Sequence, residues 1–311
     1  MQNKKKNHVN RIIIKRKNNI TVLGDSINPQ ETNFPIKPNA LNIFPIEDNH
    51  EYLVQESLKR DLSQVEKLRF DPINQCNQAC IFCPNNLKEK PARINHDSLQ
   101  LLLLRISKTC NRLTFGCSYE PLMEKNISDY AKIIKSTIND HFENKPKINL
   151  VTNGLLLHKR DISSMIELCD WVHISIHSCR KDHFEIIEKR SNFDLLTSNV
   201  KNLRKQYNNL RIHIEMVINK INIGDADEYV TWAYNELGVN SINMRLVSLD
   251  RYHPKSYLAE TIKSNIQLAV TLKEWKQVIN NMKKKWQCSI TDVTTSLDKR
   301  TPVIEFFGQK Q

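Results

Sequence analysis

Strand-like runs of hydrophobic residues alternate with hydrophobic residues at helical spacing along most of the chain. Short runs of aliphatic and β-branched residues predict buried strands, and each is followed by apolar residues at helical spacing. The predicted strands are 68–73, 112–116, 147–152, 171–177, 211–218 and 240–247. The helices predicted between them are 97–107, 127–142, 162–168, a stretch interrupted near 191–193 that continues to about 207, and 226–237.

This alternation predicts an α/β fold with a parallel sheet and right-handed crossovers. Six units indicate a partial (β/α)6 TIM-like barrel with N- and C-terminal extensions rather than a closed eightfold barrel. In such folds, ligands bind beyond the carboxyl ends of the strands. We divide the chain into an N-terminal extension at 1–66, a core at 67–248 and a C-terminal extension at 249–311.

The extensions carry weaker patterns. Ile12–Ile14 and Ile20–Leu23 predict two short strands, and residues 51–67 predict a helix. The first several residues are expected to be disordered. A further helix is predicted at 272–286, and its basic run Lys283–Lys285 is typical of a solvated helix end, with phosphate contact as the alternative.

The net charge and the cysteines indicate which binding partners and which cellular compartment suit the protein. The 311 residues carry a net charge of +12, which favours anionic partners such as nucleic acid, nucleotides or an acidic redox protein, unless the excess is simply a solvated surface. No apolar stretch resembles a signal peptide or approaches the roughly 18 residues that span a bilayer. We therefore expect a cytoplasmic protein with reduced thiols.

The strongest chemical signal is Cys76-Asn-Gln-Ala-Cys80-Ile-Phe-Cys83, which closely follows the first core strand. Three thiolates on one loop can hold an iron–sulfur cube and leave its fourth iron without a protein ligand. Structural zinc usually needs two separated ligand pairs, and no second pair is evident. A catalytic zinc seldom uses three cysteines this close, and three buried structural thiols are the remaining alternative.

This loop resembles the signature of the radical SAM superfamily, and the match extends over roughly residues 68–247. The resemblance implies that Cys76, Cys80 and Cys83 hold a [4Fe-4S] cluster whose open iron binds S-adenosyl-L-methionine. It also implies that Phe82, the aromatic residue before the third cysteine, packs near the adenine. We expect one cluster, because the C-terminal extension is not rich in cysteine.

The segment after the second strand also resembles a family motif. Gly116-Cys-Ser-Tyr-Glu-Pro-Leu is similar to the family's Gly-Gly-Glu-Pro-Leu, with Ser118 and Tyr119 in place of the two glycines. The resemblance implies that backbone atoms of this turn, at Gly116 and Pro121, and the carboxylate of Glu120 bind the methionine amino group of the cofactor. A carboxylate is a suitable partner for an ammonium group in a partly desolvated site.

Four further cofactor contacts are expected at later strand ends. Asn153 lies in a Thr-Asn-Gly segment common in the family, and Ser175 resembles a serine that contacts the cofactor. Arg190 resembles a basic residue that reaches the cofactor carboxylate, and Asn219 is a candidate ribose contact.

Other side chains are candidates for the substrate side of the site. His173 and His177 face the same side of the fourth strand, where they line the substrate cavity or serve as core histidines. Arg245 is a candidate for an anionic substrate group. Cys179, and secondarily Cys117, are candidates for hydrogen-atom donation, as in some radical SAM epimerases; an inert thiol is the alternative.

The resemblance implies an enzyme that cleaves S-adenosyl-L-methionine reductively to a 5′-deoxyadenosyl radical, which abstracts hydrogen from a bound substrate. We expect a small-molecule substrate such as a sugar or a nucleotide. Modification of a peptide or protein side chain is one alternative, and an RNA-binding protein with a structural cluster is another. A basic surface suits an acidic flavodoxin or ferredoxin as the electron source.

Overall fold

The computed structural model describes residues 12–13, 22–24, 40–43, 62–83, 90–247, 267–286, 291–294 and 302–307. The strands are β1 (Ile12–Ile13), β2 (Val22–Gly24), β3 (Ala40–Ile43), β4 (Lys67–Phe70), β5 (Ala79–Cys80), β6 (Arg112–Phe115), β7 (Lys147–Thr152), β8 (Trp171–Ser175), β9 (Glu188–Lys189), β10 (Arg211–Ile218), β11 (Ser241–Leu246), β12 (Thr291–Thr294) and β13 (Pro302–Phe307). The helices are α1 (His96–Ile106), α2 (Ile127–His141), α3 (Ser163–Leu168), α4 (Lys181–Ile187), α5 (Phe193–Gln206), α6 (Ala226–Leu237) and α7 (Leu272–Trp286).

Eleven of these strands form one sheet in the order β1-β2-β3-β4-β6-β7-β8-β10-β11-β13-β12. Pairing is parallel from β3 through β11, and the order follows the chain, so each crossover moves to the adjacent position. The edges of this sheet are β1 and β12, which leaves it open within the described part of the chain. The expectation of an α/β fold with a partial barrel is confirmed.

The six predicted core strands correspond to β4, β6, β7, β8, β10 and β11, and the helices predicted between them are α1 to α6. The interrupted helix is indeed two helices, α4 and α5, with β9 between them. Most of the helix predicted at 51–67 lies outside the described residues, and 62–66 form a turn that leads into β4.

Both extensions contribute strands to the same sheet. β1 and β2, which were predicted, pair antiparallel, and β3 joins them to β4 as a seventh parallel strand that the sequence pattern did not indicate. At the other edge, β13 pairs antiparallel with β11 and β12 with β13, neither of which was predicted. The division of the chain near residues 66 and 248 stays a prediction.

Side chains of the core strands alternate between two environments. On β8, Val172 and Ile174 are fully buried, whereas the alternate residues Trp171, His173 and Ser175 are half-buried. The buried side is aliphatic because the helices cover it, and the other side carries polar groups.

No helix among the described residues is long and apolar enough to cross a membrane.

Candidate active site

Hydrogen bonds within the loop hold the three-cysteine motif together. The backbone N–H of Cys83 donates to the carbonyl of Cys80 at 2.9 Å, so these two residues share a tight turn. The backbone N–H of Gln78 lies 3.5 Å from Sγ of Cys76. All three cysteines are free thiols with partly exposed side chains, and the charges of their sulfur atoms act on one another. These contacts describe the loop, and the role of the three cysteines as ligands of one cluster stays a prediction.

Two strand ends fasten the first half of this loop. The N–H of Glu120, after β6, donates to the carbonyl of Gln75 at 2.9 Å. The side-chain amide of Asn153, after β7, donates to Oδ1 of Asn77 at 2.8 Å and lies 3.8 Å from Sγ of Cys76. Asn153 thus places an N–H against the first sulfur, where it would stabilise a thiolate.

The second half of the loop is fastened by β9. β5 pairs antiparallel with β9, with Cys80 opposite Glu188. The amide of Gln78 donates to Oε2 of Glu188 at 2.8 Å, and the backbone N–H of His177 donates to Oε1 at 2.8 Å. Burial raises the pKa of Glu188 to about 8. This carboxyl group connects the cysteine loop, the end of β8 and the strand after α4, and the sequence analysis did not identify it.

The thiols fit an iron–sulfur cluster by their chemistry. Burial, and secondly the charge of Glu120, raises the pKa of Cys76 to about 12, and burial also raises the pKa of Cys80 well above its ordinary value. Iron would offset the cost of ionising these buried thiols, because a metal ion binds the thiolate and displaces the thiol proton. No group of three or more His, Cys, Asp or Glu within the described ranges could hold a single metal ion. Ligands of a cluster bind separate irons, and three soft sulfur donors on one partly exposed loop suit that role.

The turn after β6 wraps around a buried carboxylate that the sequence analysis missed. The backbone N–H groups of Cys117, Ser118 and Tyr119 donate to Asp71 at 2.8, 3.1 and 3.2 Å. Asp71 is fully buried, which raises its pKa to about 7 although the three N–H groups lower it. Successive N–H groups around one anion form a nest. Here the protein's own side chain fills the nest and fixes the turn, in a segment where the family has two glycines.

Gly116 begins this turn in a conformation that requires glycine. Its φ is 79°, and a Cβ atom there would lie 2.3 Å from the carbonyl oxygen of Val151. Pro121 is buried at the start of a 3-10 helix. The structure shows what these two residues do for the backbone, and their predicted contact with the cofactor stays a prediction.

Glu120 is almost completely buried and braces the two strand ends. Its carboxylate accepts hydrogen bonds from the N–H of Leu122 at 3.0 Å, the hydroxyl of Thr152 at 2.8 Å and the N–H of Asn153 at 2.7 Å. Burial raises the pKa of Glu120 to about 7, although these hydrogen bonds lower it. The two carboxylate oxygens of Glu120 accept three hydrogen bonds, which leaves room for a further donor. The predicted contact with a methionine amino group would use that remaining acceptor site.

Phe82 and Ser175 lie near the carboxyl end of β8, and their predicted contacts with the cofactor stay predictions. The ring of Phe82 meets the ring of His177 edge-on, with centroids 5.0 Å apart. His177 is buried, and its Nδ1 accepts the N–H of Val217 at 3.2 Å. Burial lowers the pKa of His177 to about 3, so the imidazole is neutral and carries its proton on Nε2. Ser175 is half-buried at the end of β8.

Arg190 and Asn219 have contrasting environments. Arg190 follows β9 directly, is exposed, and has a φ of 64°, which is uncommon for a non-glycine residue and marks a place where function is worth testing. Asn219 is fully buried; its amide donates to the carbonyl of Val217 and its Oδ1 accepts the N–H of Ile221. Both ends of the Asn219 side chain are therefore used within its own turn, and the expected ribose contact stays a prediction.

The two candidate hydrogen-atom donors differ in exposure. Cys179 is partly exposed, and burial followed by the charges of Glu228 and Asp225 raises its pKa to about 12. A hydrogen-atom donor must carry its S–H hydrogen, and this raised pKa keeps it in place at neutral pH. Cys117 is exposed. The role of either thiol stays a prediction.

Comparison with protein families gives the class of protein. The family model "Radical SAM superfamily" matches residues 71–233, more than half of the chain. The chain belongs to the radical SAM superfamily. It is therefore an enzyme of that type, and the cofactors of the family are a [4Fe-4S] cluster and S-adenosylmethionine.

Curated relatives and solved structures resemble parts of the chain. "Probable GTP 3',8-cyclase" of Saccharolobus solfataricus is 25% identical over 186 residues, which cover 58% of this chain and 56% of the relative. The chain thus spans little more than half the length of the curated relatives named GTP 3',8-cyclase that it matches. Streptococcus suis SuiB bound to S-adenosylmethionine aligns with a TM-score of 0.54 at 13% identity, over 76% of this chain and 51% of SuiB. TYW1 with a lysine-pyruvate adduct bound aligns with a TM-score of 0.51 at 14% identity, over 88% and 82%. These structural likenesses show the fold alone.

Proposed function

We propose that Cys76, Cys80 and Cys83 hold the [4Fe-4S] cluster of this enzyme and that it acts on a small-molecule substrate such as a nucleotide or a sugar. The observation that carries the proposal is the cysteine loop, which is held in place by the ends of β6, β7 and β8 and by β9, and whose three cysteine residues are partly exposed. Parallel α/β sheets bind ligands at this edge.

When bound and reduced, the cluster and S-adenosyl-L-methionine would supply a 5′-deoxyadenosyl radical, with release of methionine, for hydrogen abstraction from the substrate. The protein contributes position and electrostatics. The N–H of Asn153 near Sγ of Cys76 stabilises negative charge on that sulfur. Arg190, exposed beside β9, is assigned to the cofactor carboxylate, and Glu120 to its amino group. Phe82 and Ser175 are assigned to the adenosyl part.

A nucleotide is the preferred small molecule, for two reasons. Several curated relatives of this chain are named "Probable GTP 3',8-cyclase", although the likeness covers only part of each. The net charge of +12 also favours an anionic substrate and an acidic flavodoxin or ferredoxin as electron donor.

Modification of a peptide is the second candidate. It is supported by two solved structures of similar fold with bound peptides, namely SuiB bound to the precursor peptide SuiA and anSMEcpe with a Cp18Cys peptide, at TM-scores of 0.54 and 0.51. An RNA-binding protein with a structural cluster is the third. Its motivation, the basic run Lys283–Lys285, has side chains outside the described part of the structure.

Anaerobic reconstitution followed by a cleavage assay tests the proposal. With dithionite and S-adenosyl-L-methionine, the wild-type protein should release 5′-deoxyadenosine, and the Cys76→Ala, Cys80→Ala and Cys83→Ala variants should release none. Cys110→Ala is the matched control, because Cys110 is a buried thiol before β6, outside the cysteine loop. Cleavage that persists in the loop variants would overturn the ligand assignment. Absence of cleavage, together with salt-sensitive RNA binding, would favour the third candidate.

A further inference from the structure

A group of polar side chains lies on the inner face of the sheet, opposite the helix-covered side. We call it the inner patch and define it as His173 on β8, Glu215 on β10, and Asn243 and Arg245 on β11. Register places Glu215 beside Asn243, and His213 beside His173. Their strand neighbours Ile214 and Met244 are fully buried on the other face. The side chains of His173, Glu215 and Arg245 are 23%, 15% and 20% exposed, so a ligand can reach them.

The guanidinium group of Arg245 is hydrogen-bonded through Nε alone within the described part of the chain. Its Nε donates to Oε1 of Glu215 at 2.8 Å, whereas its two terminal nitrogens have no acceptor among the described residues. Oε2 of Glu215 accepts the amide of Asn243 at 3.3 Å and lies 3.8 Å from Nε2 of His173. The guanidinium is therefore oriented before any ligand binds, which lowers the entropy lost on binding.

The unused hydrogen-bonding capacity of the inner patch defines the ligand it suits. Both oxygens of Glu215 are engaged, whereas the terminal N–H groups of Arg245 have no acceptor in the described part of the chain and form a fork of donors. A planar donor fork matches a carboxylate or a phosphate group. In addition, Oδ1 of Asn243 is buried without a hydrogen-bond partner within the described ranges, and it can accept from a hydroxyl or amino group of the same ligand.

The inner patch is linked to the cysteine loop through His177 and the end of β10. Phe82 of that loop meets the ring of His177, and Nδ1 of His177 accepts the N–H of Val217. Val217 is the register partner of Arg245. The charges of Glu215, Arg245 and His173 all act on His177. The patch thus lies toward the carboxyl ends of the strands, on the side of the proposed cluster.

We propose that the inner patch is the substrate-anchoring subsite and that the terminal nitrogens of Arg245 bind a carboxylate or phosphate group of a small organic substrate. This inference rests on the proposed function, because it names the chemical class of that enzyme's substrate. Glu215 is a positioning residue that fixes the plane of the Arg245 guanidinium.

Calorimetric titration of the reconstituted holoenzyme at constant ionic strength tests the inference. The probes are two matched pairs, uridine monophosphate against uridine and glutarate against glutaramide. At least one anion should bind, its neutral partner should not, and Arg245→Gln should weaken the anion about tenfold or more because the donor fork is lost. The pair that responds identifies the phosphate or the carboxylate as the recognised group.

Three further variants make the result decisive. Arg245→Lys keeps the charge but loses the fork, so it should restore anion binding only in part. Arg211→Gln, at the exposed start of β10, should bind like the wild type. If Arg245→Gln does not fold, the double variant Glu215→Gln/Arg245→Gln removes both charges together and takes its place.

Two outcomes overturn the inference: wild-type protein that binds neither anion better than its neutral partner, or variants without Arg245 that bind both anions as well as the wild type. Failure of the proposed function would appear elsewhere. It would show as wild-type protein that does not cleave S-adenosyl-L-methionine, which is measured separately and leaves the binding comparison intact.

Discussion

Gln78 and Glu188 are 110 residues apart in the chain, yet the amide of Gln78 donates a hydrogen bond to the buried carboxyl group of Glu188 at 2.8 Å. Gln78 lies between the first two cysteines of the motif, and Glu188 pairs with the second of them in β9. The other oxygen of Glu188 accepts the N–H of His177. One carboxyl group therefore fixes the cysteine loop relative to the end of β8.

Removal of that carboxyl group should loosen the loop. Glu188→Ala leaves the amide of Gln78 and the N–H of His177 without their acceptor in a buried site. We expect the affinity for the cluster to fall about tenfold or more, as for other groups that orient metal ligands. Glu188→Gln keeps the shape and should retain more cluster. Iron and sulfide counts per chain measure both, and equal loading in all three proteins would contradict the role of Glu188.

The turn after β6 should depend on Asp71. In Asp71→Asn, one oxygen becomes an NH2 group that faces backbone N–H donors, so at least one buried N–H loses its acceptor. The free energy of unfolding should fall by about 1–3 kcal/mol, the cost of a buried unsatisfied group. Asp140→Asn, on the exposed end of α2, is the control. Urea denaturation distinguishes the two, and equal midpoints would argue against the nest.

Glycine is required at position 116 but not at 224. Gly116→Ala places a Cβ 2.3 Å from the carbonyl of Val151 at a φ of 79°, so the chain must shift. A loss of more than about 1 kcal/mol is expected from the backbone strain alone. Gly224→Ala meets no atom within 4 Å and should be neutral or slightly stabilising. Thermal unfolding of both variants provides the comparison; equal losses would refute the requirement at Gly116.

Acid should weaken the ion pair of the inner patch. Burial raises the pKa of Glu215, but the charge of Arg245 and then that of His173 outweigh it and hold the pKa at about 2, below the ordinary 4.5. The folded state therefore binds fewer protons than the unfolded state between these values, and the stabilisation is present above pH 4.5 and lost as pH falls toward 2.

Denaturation of Glu215→Gln against pH measures this contribution. The variant should be less stable than the wild type near pH 7, by on the order of 2 kcal/mol. The difference should shrink below pH 4.5 as Glu215 of the wild type becomes protonated. A difference that is constant with pH would show that Glu215 is not ionised against Arg245.

The sequence was sufficient to predict the parallel core because each of its strands is covered by helices. A run such as 147–152 is apolar enough to be recognised locally, and the helices that follow show clear periodicity. The strands that were missed are determined by their partners instead. β3, β12 and β13 are short segments added at the sheet edges, and the two-residue strands β5 and β9 exist only because distant parts of the chain meet.

Part of the candidate site was predictable for the same reason. The spacing of three cysteines within eight residues is enough to predict their role. The roles of Glu188 and Asp71 depend on contacts with residues far away in the sequence, so the sequence alone does not indicate these roles. Asp71 had one local signal, since it lies inside the run predicted as the buried strand 68–73, where an acidic residue is seldom buried unless it is paired. Asn219 shows that one sequence pattern allows two roles, because an asparagine after a strand also suits a turn, and the turn uses both ends of its side chain here.

Whether one iron of the cluster is open to S-adenosyl-L-methionine is the central question, and magnetic resonance answers it directly. Anaerobically reconstituted protein is reduced with dithionite and mixed with cofactor that carries nitrogen-15 in the amino group and oxygen-17 in the carboxylate of methionine. We predict hyperfine coupling of both nuclei to the reduced cluster, and loss of the cluster signal in Cys76→Ala. A reduced cluster that shows no coupling to either nucleus would contradict an open iron that binds the cofactor.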